Sequence, residues 1–340
     1  PLLHLLPAAR GAPTDALFFW GGDDEAAEGT QLAAAQFMAE RGLPYHINIM
    51  PREGRFALTP EEFARLRALG TEPSLHLNFI DGYQHPLHFT REDVAAQVQL
   101  YREVFGEIPV CTVFHWTLWC GWTEPAQWLR EQGVLADNSR FGSNRFILNP
   151  TNECAYAYGT ALPFFFRLGA EQANQRLDFV CEPITAYECG YDRERDELAL
   201  APLHRAIDQA AYWHSTCNMF YHPVCLHRFA SARAAVDEAL AYIARQGIRA
   251  VHMGNDRVNF WWRARAAGRL GEVVRDENDV SLVAECNWDE GYVLVLPVEA
   301  AQASATVHGE PAATELHHEY GRWWAWVAVP AGRHKVRVRW

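Results

Sequence analysis

Short apolar runs alternate with longer amphipathic stretches from Ala16 to about Ala267. The runs predict strands at 16–20, 45–50, 72–79, 110–116, 134–138, 177–184, 218–226 and 248–253. The stretches between them predict helices at 26–41, 60–69, 90–105, 124–132, 203–213 and 231–246, with a last one over 257–270. Pro60-Glu61-Glu62 and Thr90-Arg91-Glu92-Asp93 put acidic residues at helix starts, where they complement the helix dipole. Gly42, Gly70, Gly133 and Gly247 follow helices, as stop signals do. Strands alternating with helices predict a parallel sheet, most economically a distorted or incomplete (β/α) barrel of seven to eight strands. Residues 138–170 break the rhythm and predict a long loop excursion.

The pattern changes after Gly271. Alternating runs at 281–286, 292–297, 303–307, 323–329 and 334–340 are separated by Asp-Glu-Gly, His-Gly-Glu-Pro and Pro-Ala-Gly turns. They predict a small all-β, sandwich-like module. The expected division is 1–272 for the barrel and 273–340 for this module.

Composition narrows the function classes. The 340 residues, 49% hydrophobic, can bury a large core. A net charge of −12 argues against a nucleic-acid partner. No apolar run approaches the roughly 20 residues of a membrane-spanning helix. The apolar start, Pro1 to Leu6, is too short for a signal peptide and lacks a basic flank. A soluble protein, cytoplasmic or exported, is the expectation. The eight cysteines form no C-x-x-C pair or zinc-finger spacing, and buried small hydrophobes account for several of them. Nothing in the sequence bears on oligomeric state.

Candidate chemistry centres on Phe18-Phe19-Trp20-Gly21-Gly22-Asp23-Asp24-Glu25. Two carboxylates follow a predicted strand, at the end where α/β folds bind ligands. One reading makes them a metal ligand and a base; the other makes them caps of the next helix. Histidines stand at three further strand ends: His76, with His85 and His88 after it, His115, and His222. A lone histidine in a strand is usually structural. Four strand ends bearing Asp or His converge on one barrel mouth. A carboxylate and two imidazoles there suit Zn²⁺ or a similar divalent ion, with a second carboxylate as base and another histidine as acid. Asn255-Asp256 reads as a helix cap. Trp116, Trp119 and Trp122 could wall a substrate groove or pack in the core.

The order and spacing of these residues resemble the polysaccharide deacetylase superfamily, the NodB-like carbohydrate esterases. Asp23-Asp24 resembles the Asp pair of T-F-D-D-G, with Glu25 in place of the final Gly. Glu72-Pro73-Ser74-Leu75-His76 resembles the start of E-x-G-x-H-T-x-S-H-P, and Tyr83-Gln84-His85-Pro86 its displaced end. Phe114-His115-Trp116 occupies the place of R-P-P-Y, with His for Arg. A fourth region falls near Asp137, and Phe220-Tyr221-His222-Pro223 resembles the fifth motif. The resemblance covers about residues 15–255 and leaves the β module outside.

It implies a metal-dependent hydrolase that removes acetyl groups from an acetylated oligo- or polysaccharide. Asp23 is then the base and His222 the acid. Asp24, His76 and His85 hold the divalent ion, zinc first, with cobalt or nickel as alternatives. His88 and His115 are rivals for the last ligand position, and His115, Trp116, His88, Asp137 and Trp119 line or support the site. An amidase acting on a non-sugar C–N bond, or a non-catalytic carbohydrate-binding scaffold, are the alternative functions.

Overall fold

The computed structural model describes residues 1–83, 88–141 and 154–340. A strand overlaps each of the eight predicted between residues 16 and 253. Together with Ala186–Tyr187 and Phe164–Arg167 they form one ten-stranded sheet in the order Ala186–Tyr187, Thr216–Phe220, Ala16–Asp23, Tyr45–Ile49, Thr71–Leu77, Cys111–Phe114, Ala136–Asp137, Arg176–Cys181 and Phe164–Arg167, with Ala250–Met253 also paired to Ala16–Asp23. Every pairing is parallel except that of Phe164–Arg167 with Arg176–Cys181. With helices between the strands this is a distorted (β/α) barrel. Phe164–Arg167 lies inside the stretch expected to be loop, and residues 142–153 of that stretch fall outside the described residues.

Ala16–Asp23 is the hub, and all eight of its residues are buried. Thr216–Phe220 runs along one of its edges. The other edge is shared: Ala250–Met253 pairs with Ala16–Phe19, and Tyr45–Ile49 with Gly21–Asp23. The two glycines allow this crowding. A Cβ on Gly22 would lie 1.8 Å from the Tyr221 carbonyl oxygen, and one on Gly21 2.9 Å from Asn255 Oδ1.

Three predicted elements end differently. The strand expected to run to 226 stops at Phe220, and Pro223 opens the short helix Pro223–Arg228; proline suits a first helical turn and cannot donate to a ladder. The helix expected from 26 begins at Thr30, because Ala26 and Gly29 take positive φ. Its N-cap is Gly29, with no side-chain cap, so neither Asp23 nor Asp24 serves it. The last helix spans Asn255–Ala267 and starts two residues before the expected one; its N-cap is Gly254, and the cap expected of Asn255-Asp256 is supplied instead by Glu72, a residue of another strand.

Apart from two short hairpins, Pro51–Arg52 with Arg55–Phe56 and Gly190–Asp192 with Glu197–Ala199, the remaining strands form two antiparallel sheets, consistent with the sandwich-like expectation. One holds Arg269–Asp276, Asp279–Cys286, Gly332–Arg339, Ser304–Val307 and Glu310–Ala312. The other holds Leu2–Pro7, Tyr292–Val298, Arg322–Val329 and Thr314–Glu319. The first strand of the chain thus lies in a sheet with C-terminal strands. Leu3 and Leu6 pack in one apolar cluster with Leu294, Leu296 and Val327, and with Phe19 and Trp261 of the barrel. The Trp261 indole N–H donates to the Leu5 carbonyl. No helix is long and apolar enough to cross a membrane among the described residues.

Candidate active site

The hub strand delivers its carboxylates by its pleat. The Asp24 N–H still donates to the Asn48 carbonyl at 2.8 Å, so the ladder continues one residue past Asp23. Successive side chains of an extended chain point to opposite faces. The Asp23 carboxylate faces the His76 ring, with Oδ2 3.6 Å from Nε2. The Asp24 carboxylate turns elsewhere: Oδ1 accepts from Gln31 Nε2 at 2.8 Å, and Oδ2 from the Met50 N–H at 3.4 Å. Glu25 returns to the side of Asp23. Its Oε2 is 3.4 Å from His115 Nε2 and its Oε1 is 3.5 Å from His222 Nε2.

Each imidazole is held from behind. His76 Nδ1 donates to the Asp24 carbonyl oxygen at 3.1 Å. That leaves the buried Nε2 as an acceptor with no hydrogen-bond partner among the described residues. His115 Nδ1 lies 3.3 Å from Asn78 Oδ1, and the His115 and His76 rings meet edge to face at 4.9 Å. His222 Nδ1 lies 2.7 Å from Glu188 Oε1, which also accepts the His222 backbone N–H at 2.6 Å. Glu188 is fully buried, and the Tyr191 hydroxyl donates to its other oxygen.

Burial and charge then separate the groups. Burial, with Glu25 adding to it, pushes the Asp23 carboxyl up to about 7. Asn48 Nδ2 donates to Asp23 Oδ1 at 3.0 Å and fixes its orientation. Burial also pushes Glu25 up, but the His115 hydrogen bond and the nearby histidines outweigh it and hold the group at about 2. His76 is driven down to about 3 by burial and by His115, so it is a neutral ring. His222 is depressed by burial, yet the Glu188 hydrogen bond and charge raise it to about 9. One carboxylate with raised affinity for a proton, one without, two imidazoles facing them and one charged imidazole therefore share a single mouth.

The other residues singled out in the sequence are more scattered. His85 lies outside the described residues. His88 is exposed, near the acidic start of the Arg91–Phe105 helix. Asp137 is buried, and Ser139 and Thr112 satisfy its carboxylate. Trp116 stands open to solvent, 70% exposed, with its ring 5.8 Å from that of His115. Trp119 stacks on Phe166 at 5.4 Å beneath the Arg140 guanidinium. Asn48 and Glu188 carried no motif in the sequence. For Asn48 there was a signal: His46 and Asn48 alternate with apolar residues in a strand that is buried throughout.

The sequence matches no known family model and no curated protein. Solved structures do match the fold. A structure described as a polysaccharide deacetylase from Mycobacterium smegmatis superposes with a TM-score of 0.51 at 14% identity, covering 78% of this chain and 96% of that one. The chitin deacetylase of the fungal pathogen Colletotrichum lindemuthianum matches with a TM-score of 0.41 at 14% identity, over 74% and 90% of the two chains. The first likeness shows that the barrel has the fold of the polysaccharide deacetylases.

Proposed function

We propose that this protein is a metal-dependent hydrolase that removes acetyl groups from an acetylated carbohydrate. The observation that carries the reading is the convergence of Asp23, Glu25, His76, His115 and His222 on one mouth, with the buried His76 Nε2 left as an acceptor unpartnered among the described residues. Such an atom, beside a carboxylate and a second imidazole, fits a divalent ion of the zinc type, for which cobalt or nickel can substitute. His76, His115 and Glu25 would hold it. Glu25 replaces Asp24 in this assignment because the Asp24 oxygens face Gln31 and Met50. His115 takes the ligand position expected of His85.

A bound divalent ion supplies Lewis acidity at the acetyl carbonyl. The chain's own groups do the proton work. Asp23, raised to about 7 and oriented by Asn48, accepts the proton of the attacking water. His222, kept charged by Glu188, gives a proton to the departing nitrogen or oxygen. Trp116 offers an exposed ring beside His115 for the apolar face of a sugar.

The test is acetate release from acetylated chitooligosaccharides, xylan and peptidoglycan fragments. Asp23→Asn should lower turnover by roughly 10²-fold or more, the usual size of general-base catalysis, and keep its metal. Full turnover in Asp23→Asn refutes the base. Binding of these glycans without acetate release favours a carbohydrate-binding scaffold, and release of ammonia from simple amides favours an amidase.

A further inference from the structure

A second cluster lies at the shared edge of the hub strand, where Ala250–Met253 gives way to Tyr45–Ile49. His46, Glu72 and Asp256 meet there. His46 is fully buried, and its Nε2 lies 3.0 Å from Asn48 Oδ1. The direction of that bond is set from the mouth. A carboxylate only accepts, so the Asn48 amide N–H₂ faces Asp23 and its carbonyl oxygen faces His46. His46 Nε2 is therefore the donor, and Nδ1 is the atom presented to the acids.

Nδ1 lies 3.4 Å from Glu72 Oε2 and 3.4 Å from Asp256 Oδ1. Both separations exceed a good N–H···O bond of about 2.7–3.2 Å. They match the spacing of about 3.4 Å between two ligands of a tetrahedral ion bound at about 2.0–2.1 Å. Asp256 Oδ1 is buried and has no hydrogen-bond partner among the described residues, on a residue only 7% exposed. Glu72 is fixed in place because it accepts the N–H groups of Asp256 and Arg257 at 2.9 and 3.3 Å. A Cβ on Gly254 would lie 2.0 Å from Glu72 Oε2, so glycine keeps this approach open. A third acid, Glu182, is fully buried with Oε1 unpartnered among the described residues, and it feels the charges of Asp256 and Glu72. Two carboxylates thus share one imidazole.

We infer that His46 Nδ1, Glu72 and Asp256 form a second divalent-cation site, distinct from the mouth and structural in role. Its nitrogen and two oxygens suit a zinc-type ion. The ion ties three elements that meet at the seam: the Tyr45–Ile49 strand, the Thr71–Leu77 strand and the Asn255–Ala267 helix. The Glu72 side chain is 17% exposed, which gives the ion a way in. Through Asn48 the same clasp steadies the orientation of Asp23.

The test counts zinc per chain after chelator stripping, reloading with Zn²⁺ alone and desalting. Wild type should hold one ion more than Asp256→Asn and one more than Glu72→Gln. His76→Ala, altered only at the mouth, should still hold the clasp ion, and chelation should lower its thermal midpoint. An Asp256→Asn protein that binds as many ions as wild type overturns the inference. So does a His76→Ala protein that binds none, an outcome that does not depend on Asp256→Asn folding. Either result would leave a proton, shared by His46 and the two acids, in the place of the ion.

Discussion

Replacing Glu188 by Gln removes a charge and preserves a shape. Glu188 Oε1 accepts from both the His222 N–H and His222 Nδ1, at 2.6 and 2.7 Å. A glutamine carbonyl can still accept at that position, so the imidazole should stay where it is. What is lost is the ionic character of the Nδ1 bond. A hydrogen bond to a charged group contributes about 1.5–3 kcal/mol, and a neutral one about 0.5–1.5. The difference of about 1–2 kcal/mol corresponds to roughly 5–30-fold in any step that needs protonated His222. The assay is kcat for acetate release from an N-acetylated oligosaccharide, set beside hydrolysis of p-nitrophenyl acetate. The nitrophenolate leaves without a proton, so Glu188→Gln should slow the amide by that factor and leave the ester within about twofold. An equal loss on both substrates, with thermal stability unchanged, would refute His222 as the proton donor. No loss on either would refute Glu188 as its partner.

Two further substitutions probe the scaffold. Gly22→Ala places a Cβ 1.8 Å from the Tyr221 carbonyl oxygen, a backbone atom that cannot swing aside. We expect it to destabilise the protein by about 3 kcal/mol or more in denaturant unfolding, and a stable Gly22→Ala protein would show that the two strands are less closely opposed. His4 lies in the first strand, packed on Trp326 at 4.2 Å, and burial together with His214 lowers it to about 3 from an ordinary 6.5. The unfolded chain binds that proton more readily, so the contribution is whole above about pH 6.5 and falls as pH drops toward 3, by up to about 1.4 kcal/mol per unit. Between pH 7 and 5 the unfolding free energy of His4→Phe should therefore fall by about 2 kcal/mol less than that of wild type; parallel pH curves would remove His4 from the account.

Much of this was legible in the chain because backbone rules act locally. The strand–helix rhythm is a matter of apolar period, and every predicted barrel strand has a counterpart. The acids after Gly21-Gly22 and the histidines at later strand ends were visible as residues out of place in apolar runs. Their roles were harder to read. Motif matching pairs Asp23 with Asp24, whereas the pleat pairs Asp23 with Glu25 and sends Asp24 to Gln31. That distinction depends on the strand continuing to Asp24, which two positive-φ residues at Ala26 and Gly29 permit by delaying the helix. Glu188 follows the two-residue strand Ala186–Tyr187 and reaches His222 only because that strand lies beside Thr216–Phe220; no spacing in the sequence encodes it. The first strand was equally hidden, since Leu2–Pro7 finds its partner in Tyr292–Val298, at the far end of the chain. Long-range pairing of this kind leaves no local pattern beyond an apolar run.

The central claim is that the mouth holds a metal through His76, His115 and Glu25, with the Asp24 carboxylate outside the site. It is tested most directly by zinc content per chain in His76→Ala, His115→Ala, Glu25→Gln and Asp24→Asn, prepared side by side with wild type. The account predicts that each of the first three holds one ion fewer than wild type and that Asp24→Asn holds the same number. Loss of an ion in Asp24→Asn, with full content in Glu25→Gln and His115→Ala, would contradict it and return the ligand positions to Asp24 and His85.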